Sequence, residues 1–314
     1  MRQPETTTDT TLNAPGTSRN LYTASLGFAL LCILPLLLAW DSTRALISLT
    51  LNDDTYSHIP LIPVVTVFLI YMERRAIFSR VSYGWRIGSL LILPGAVGVL
   101  LARTNVVHLS SADRLSVLMF AVILIWMGGF ALFFGTRAFR AALFPLVFLL
   151  FAVPIPEILL VRLIGFLQRR SADAAGAMFN MVGVPVLRQD LIFMLPGVSI
   201  RVAEECSGIR STLALFITTV LAAHFFLRSK WSMLLLCLLV FPISIIKNGM
   251  RIATLTCLAV YVDPGFLHGN LHRYGGIPFF FLDLLVLGLF LALLRRVERG
   301  GTPGASNTAP QVAR

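Results

Sequence analysis

Residues 202–211 read Val-Ala-Glu-Glu-Cys-Ser-Gly-Ile-Arg-Ser and set a cysteine among charged and small polar residues, just before a long apolar run. A thiol there lies at a membrane surface and at a helix start. The helix dipole and free backbone N–H groups at such a start favour the thiolate. The thiolate is the nucleophilic form, which makes Cys206 the candidate nucleophile. Ser207 is placed to cap the helix, and Gly208 permits close backbone approach. Glu204 and Glu205 work against ionisation of the thiol, and Arg210 and Arg251 are the cations that offset them. Cys32, Cys237 and Cys257 lie inside apolar runs and read as inert.

A thiol needs partners, and the elements that must supply them follow from composition. The chain has 314 residues, 57% of them hydrophobic and 13% charged, with a mean hydropathy of +0.82. A soluble domain carries about 25% charged residues. Apolar runs at 21–40, 59–72, 87–102, 115–134, 141–153, 206–226, 231–250 and 276–294 give about eight crossings of an all-α polytopic membrane protein. The first run is too long for a signal-peptide core and no small-residue cleavage site follows it, so it reads as a retained span. Residues 1–20 and 300–314 are polar tails, and 21–299 form one transmembrane domain. The net charge of +11 sits largely in short loops, where it sets topology and implies no nucleic acid. Four scattered cysteines give neither a disulfide framework nor a zinc pattern.

If the spans alternate, Arg74 and Arg75, Arg137 and Arg140, Arg228 and Lys230, and Arg295 and Arg296 fall on one side. By the positive-inside rule that side is cytoplasmic, with both termini. The other side receives 41–58, 103–114, 157–205 and the region of 247–275. Segment 157–205 opens with an interfacial helix and ends in two short apolar runs, 191–195 and 198–203, around the turn dipeptide Pro196-Gly197. These read as a small outer-face β-hairpin leading into Cys206. Span 231–250 brings the chain back out near Arg251, beside Lys247 and Asn248. The run 252–262 is too short to cross and reads as interfacial or re-entrant. His268 and His272 follow on the same face.

Cys206, Arg251 and one of two histidines thus converge from three helix ends. The chemistry is nucleophilic: a thiolate attacks a carbonyl, a histidine moves protons, and a cation holds the thiolate or the oxyanion. The four-residue spacing of His268 and His272 also fits a metal-binding helix face, but Gly269 and Asn270 disfavour a helix there. No metal or cofactor is expected.

These residues resemble the exosortase/archaeosortase family of membrane transpeptidases over most of the chain. Glu205-Cys206-Ser207-Gly208-Ile209-Arg210-Ser211 is similar to its cysteine motif, Asn248-Gly249-Met250-Arg251-Ile252 to its arginine motif, and His272-Arg273-Tyr274-Gly275-Gly276 to its histidine motif. Tyr56-Ser57-His58 with Glu73-Arg74-Arg75, Phe144-Pro145 through Pro154-Ile155-Pro156, and Val184-Pro185-Val186-Leu187-Arg188 also fit, in order. The resemblance implies Cys206 as nucleophile, Arg251 as thiolate or oxyanion partner and His272 as proton carrier. Ser207, Gly208, Arg210, Asn248, His268 and Glu205 support them. It implies a plasma-membrane enzyme with an extracytoplasmic site. The substrates would be exported proteins ending in a short motif, a transmembrane helix and a basic tail, cleaved through a thioester. The sequence departs from the family pattern at Gly276-Ile277-Pro278-Phe279 and at Asp283 within the last span.

Two other classes compete. An intramembrane glutamate protease of the prenyl-protein-processing type would use Glu204 and Glu205, but that pattern wants three residues before the arginine and here there are four, 206–209. A non-catalytic transporter or assembly subunit would use membrane-level charges such as Asp283. However, the sequence shows no inverted repeat and no matching pair of broken helices.

Overall fold

The computed structural model describes residues 21–79, 81–104, 109–195, 198–203, 207–263, 265 and 276–300. Backbone contacts divide the chain into two units: the described residues of Met1–Asp53 with Ser57–Ile155, and those of Asp54–Tyr56 with Pro156–Arg314.

The first unit holds α1 (Leu21–Leu38), α2 (Trp40–Asn52), α3 (Leu61–Met72), α4 (Arg74–Ile77), α5 (Trp85–Arg103), α6 (Ser111–Ala141) and α7 (Leu143–Phe148). Helix α6 starts where Ser110 Oγ accepts from the Asp113 N–H at 3.1 Å, and Asp113 complements the positive end of the helix. It is buried along most of its length, and α1 and α5 pack on it. Phe28 meets the rings of Phe130 and Phe134 edge-on, at 5.6 and 5.5 Å between centroids.

The second unit contains the predicted chemistry. A 3₁₀ turn, Asp54–Tyr56, joins α8 (Glu157–Val182), β1 (Leu187–Gln189), β2 (Ile192–Leu195), β3 (Val198–Arg201), α9 (Ile209–Phe226), α10 (Lys230–Tyr261) and α11 (Gly276–Gly300). Among the described residues of the whole chain, seven helices are long and apolar enough to cross a membrane. The number is eight if the segments interrupted at Pro154 and Pro156 count as one span. The protein is therefore an all-α polytopic membrane protein with a small sheet.

That sheet contains the expected hairpin. Strands β2 and β3 pair antiparallel with Phe193 opposite Ile200. A third strand, β1, adds to it with Arg188 opposite Phe193. At three residues, β1 is too short to show an alternating pattern in the sequence. Arg188 closes its turn by donating to the Asp190 carbonyl at 2.7 Å, and ties the sheet to α8 through Asp173 at 2.8 Å. The inner face of the sheet is fully packed. Phe193 is wholly buried against Phe179, with Ala172 and Ala175 from α8 and Ile252 and Ala253 from α10. After β3, Val202 donates to the Leu191 carbonyl at 2.8 Å and accepts from Gln168 Nε2 at 3.2 Å. The strand entering the cysteine motif is thereby held on α8.

Helix α10 differs from the sequence expectation. The run 252–262 is not a separate interfacial piece, because one helix of 32 residues continues from Lys230 to Tyr261. At 1.5 Å per residue it is ~48 Å long, well beyond a hydrocarbon core of ~30 Å. Arg251 therefore lies within a helix and not at its end. Gly249 lies inside this helix, where α8 packs directly over it. A Cβ there would stand 2.6 Å from Ala174 Cβ and 3.0 Å from the Ala175 nitrogen. At the other end of the unit, Leu215, Leu236, Val240 and Leu287 form the core of α9, α10 and α11. The Glu298 carboxylate of α11 accepts from the Arg228 and Ser229 N–H groups at 2.9 and 3.0 Å, fixing the α9–α10 turn.

Gly249→Ala is expected to force α10 off α8 and to cost ~1–3 kcal/mol, as overpacked interiors do. The thermal unfolding midpoint of the detergent-solubilised protein measures this, and an unchanged midpoint would show a looser crossing.

Candidate active site

The start of α9 is built by Ser207, Gly208, Ser211 and Thr212. Gly208 is the cap residue, in the left-handed region at φ 76°. A side chain there would be strained and would also meet Asn248, whose Cγ lies 3.1 Å from where a Cβ would stand. Ser207 is buried, and its Oγ accepts from the Ile209 N–H at 3.3 Å. The cap position belongs to Gly208 and not to Ser207 as the sequence suggested; Ser207 stands one residue earlier and bonds only the first N–H of the helix. Ser211 Oγ and Thr212 Oγ1 both donate to the Gly208 carbonyl, at 3.0 and 2.9 Å. The polypeptide immediately after Cys206 is therefore held at every residue.

Helix α10 meets this turn with two buried polar side chains. Asn248, 2% exposed, lies against Gly208. Lys247, 5% exposed, donates from Nζ to Ser211 Oγ at 2.9 Å and pairs with Asp283 Oδ2 of α11 at 3.3 Å. Asp283 is 1% exposed. Arg251 follows Lys247 by one helical turn and so shares its side of α10. Arg210, the second residue of α9, forms an ion pair with Asp54 of the 3₁₀ turn. That pair is largely solvent-exposed, which limits its energetic weight.

Of the sequence-predicted residues, Ser207, Gly208 and Asn248 come together, with Arg251 one turn along α10 and Arg210 one residue into α9. Cys206, Glu204, Glu205, His268 and His272 lie outside the described residues. In the sequence Lys247 stood out only as a neighbour of Arg251 and Asp283 only as a departure from the family pattern or a transporter charge, and neither Ser211 nor Asp54 stood out in this role. A signal was present. Two ionisable groups of opposite sign, one in each of two successive apolar spans, are expected to find each other.

The family model of the transmembrane exosortase (Exosortase_EpsH) matches residues 40–290. The chain belongs to the transmembrane exosortase family. No curated protein and no solved structure matches it. The matched stretch takes in the cysteine, arginine and histidine motifs and Asp283. Membership supports a membrane transpeptidase or protease role in general, exercised in a bilayer on protein substrates with carboxy-terminal sorting signals. In this exosortase the membrane-level aspartate has an assigned structural partner, Lys247.

Asp283→Asn and Lys247→Met each strand one buried charge and are expected to lose ~3–5 kcal/mol of stability. The double replacement Lys247→Met/Asp283→Leu is expected to recover most of that loss. A double-mutant cycle on unfolding midpoints checks it, and additive losses would show that the two groups do not depend on each other.

Proposed function

We propose that this exosortase is a membrane-embedded cysteine transpeptidase that cleaves the carboxy-terminal sorting signal of exported proteins through a thioester. The observation that carries this reading is the seating of Asn248, from the arginine motif, against Gly208, from the cysteine motif. Two segments 40 residues apart, which span counting put only on one face of the membrane, are in direct contact. The Lys247 bridge to Ser211 and Asp283 adds the start of α11, whose first residue ends the histidine motif.

In this mechanism the Cys206 thiolate attacks the scissile carbonyl carbon. Arg251 holds the negative charge, first on sulfur and then on the tetrahedral oxygen. The C–N bond breaks as His272 gives its proton to the leaving amine, leaving an acyl thioester on Cys206. An acceptor amine, or water, then attacks the thioester. His272 takes the proton released, and the thiolate is regenerated. The sequence puts Cys206 just ahead of the Ser207–Gly208 turn that opens α9, and a helix start favours the thiolate. His268 is the alternative proton carrier, and Glu205 an electrostatic counterweight to the cations.

The site is assigned to the extracytoplasmic face of the plasma membrane, with both termini inside. This follows from the short basic connections on the opposite side. The Arg210–Asp54 pair supports it, since span counting places Asp54 and the start of α9 on one side. The substrate's own helix enters laterally and brings the scissile bond to headgroup level.

Co-expression with a tailed substrate and measurement of its size tests the assignment. Cys206→Ala is expected to abolish processing. Arg251→Gln is expected to slow it ~10²–10³-fold, with Arg251→Lys in between. Of His268→Ala and His272→Ala, the second is expected to be the inactive one. Full processing by the Cys206→Ala protein, with loss in Glu204→Ala or Glu205→Ala, would transfer the chemistry to the glutamates.

A further inference from the structure

The far end of α11 carries a cavity unconnected with the thiol chemistry. It measures about 340 Å³ and is bordered by Gly288, Leu291 and Ala292 of α11 and by Phe226 of α9. Its other end is formed by Arg295, Arg296 and Arg299. The lining positions recur at three- and four-residue intervals, so they form one stripe along the helix. The stripe runs from apolar to cationic over ~16 Å. Nothing fills the notch at Gly288, where a Cβ would meet no atom within 4 Å.

Among the described residues, the nearest carboxylate in sequence to Arg295 and Arg296 is engaged elsewhere. Glu298 lies between Arg296 and Arg299 in sequence, but its two oxygens accept from the Arg228 and Ser229 N–H groups. Arg295 rests over the Phe226 ring at 5.5 Å, which orients its guanidinium at the cavity edge. The site therefore presents planar cationic forks with an apolar slot beneath them.

We propose that this cavity binds an anionic phospholipid, with the phosphodiester on the arginines and the proximal acyl chain in the notch of Gly288, Leu291 and Ala292. Guanidinium forks match phosphate oxygens in a paired geometry that an ammonium does not reproduce. Basic pockets at the ends of transmembrane helices take such headgroups. A free phosphate would leave the apolar half empty, and a basic peptide would be repelled. The depth order, apolar within the span and cationic at its end, matches that of a phospholipid in the surrounding leaflet.

The test uses the full-length purified protein and native mass spectrometry, counting retained lipid after exposure to phosphatidylglycerol or phosphatidylcholine. The wild type is expected to retain phosphatidylglycerol several-fold better. Gly288→Leu fills the notch without changing charge and is expected to remove most of that retention. Arg295→Lys/Arg296→Lys keeps the charge that sets topology and is expected to reduce the preference for phosphatidylglycerol. Circular dichroism checks that both variants are folded, and the wild-type lipid comparison stands without them. Equal retention of the two lipids would overturn the proposal, as would a Gly288→Leu protein that retains phosphatidylglycerol like the wild type. Complete displacement of the lipid by equimolar glycerol phosphate would also overturn it, since the site would then read only a free anion.

Discussion

The second unit depends on a buried ion pair within membrane-spanning helices. Lys247 and Asp283 are almost completely removed from solvent and lie 3.3 Å apart. Neither charge is tolerable alone in such surroundings, and together they remain costly unless their remaining hydrogen-bonding capacity is met. Ser211 meets part of it by accepting from Lys247. This constraint fixes α9, α10 and α11 against one another at a single depth. A shift of either partner helix by one turn would break the pair. A buried pair of this kind adds little net stability compared with an apolar core. What it provides here is a unique alignment of three helices, each following or containing one of the family's motifs.

Close packing then determines what that alignment brings together. Gly249 lets α10 lie directly on α8, and α8 in turn carries the sheet through Phe179 and Phe193. The continuation of α10 past Arg251 completes the same core with Ile252 and Ala253. The strand that enters the cysteine motif is hydrogen-bonded to α8 through Gln168, and the turn that leaves it is seated on Asn248. The described residues before and after the cysteine motif are thus both anchored, one side to α8 and the other to α10. Preorganisation of this sort is what nucleophilic catalysis asks of a scaffold.

The spans were legible in the sequence because crossing a bilayer as a helix requires about 20 apolar residues, and that length is a one-dimensional property. The β2–β3 hairpin was legible for a similar reason, since alternation and a Pro-Gly turn are local signals. The third strand was not, because three residues have no period to detect. Nor was the unbroken course of α10. About 20 residues from Trp231 suffice to cross, and the run 252–262 that follows is too short to cross again, so the sequence suggests an end near Arg251. The structure carries one helix on to Tyr261, with α8 packed over Gly249 and Ile252 and Ala253 buried in the core beyond it.

By itself the sequence determined the membrane class, the motif order and the candidate nucleophile, arginine and histidines, because all of these follow from residue type and spacing along the chain. Only the tertiary structure decided that Asp283 answers Lys247, that Asn248 lies on Gly208, and that Arg210 reaches Asp54 across 156 residues. These are distances between helices. They depend on which faces pack together and at what depth, and no periodicity within one helix encodes the register of its neighbour.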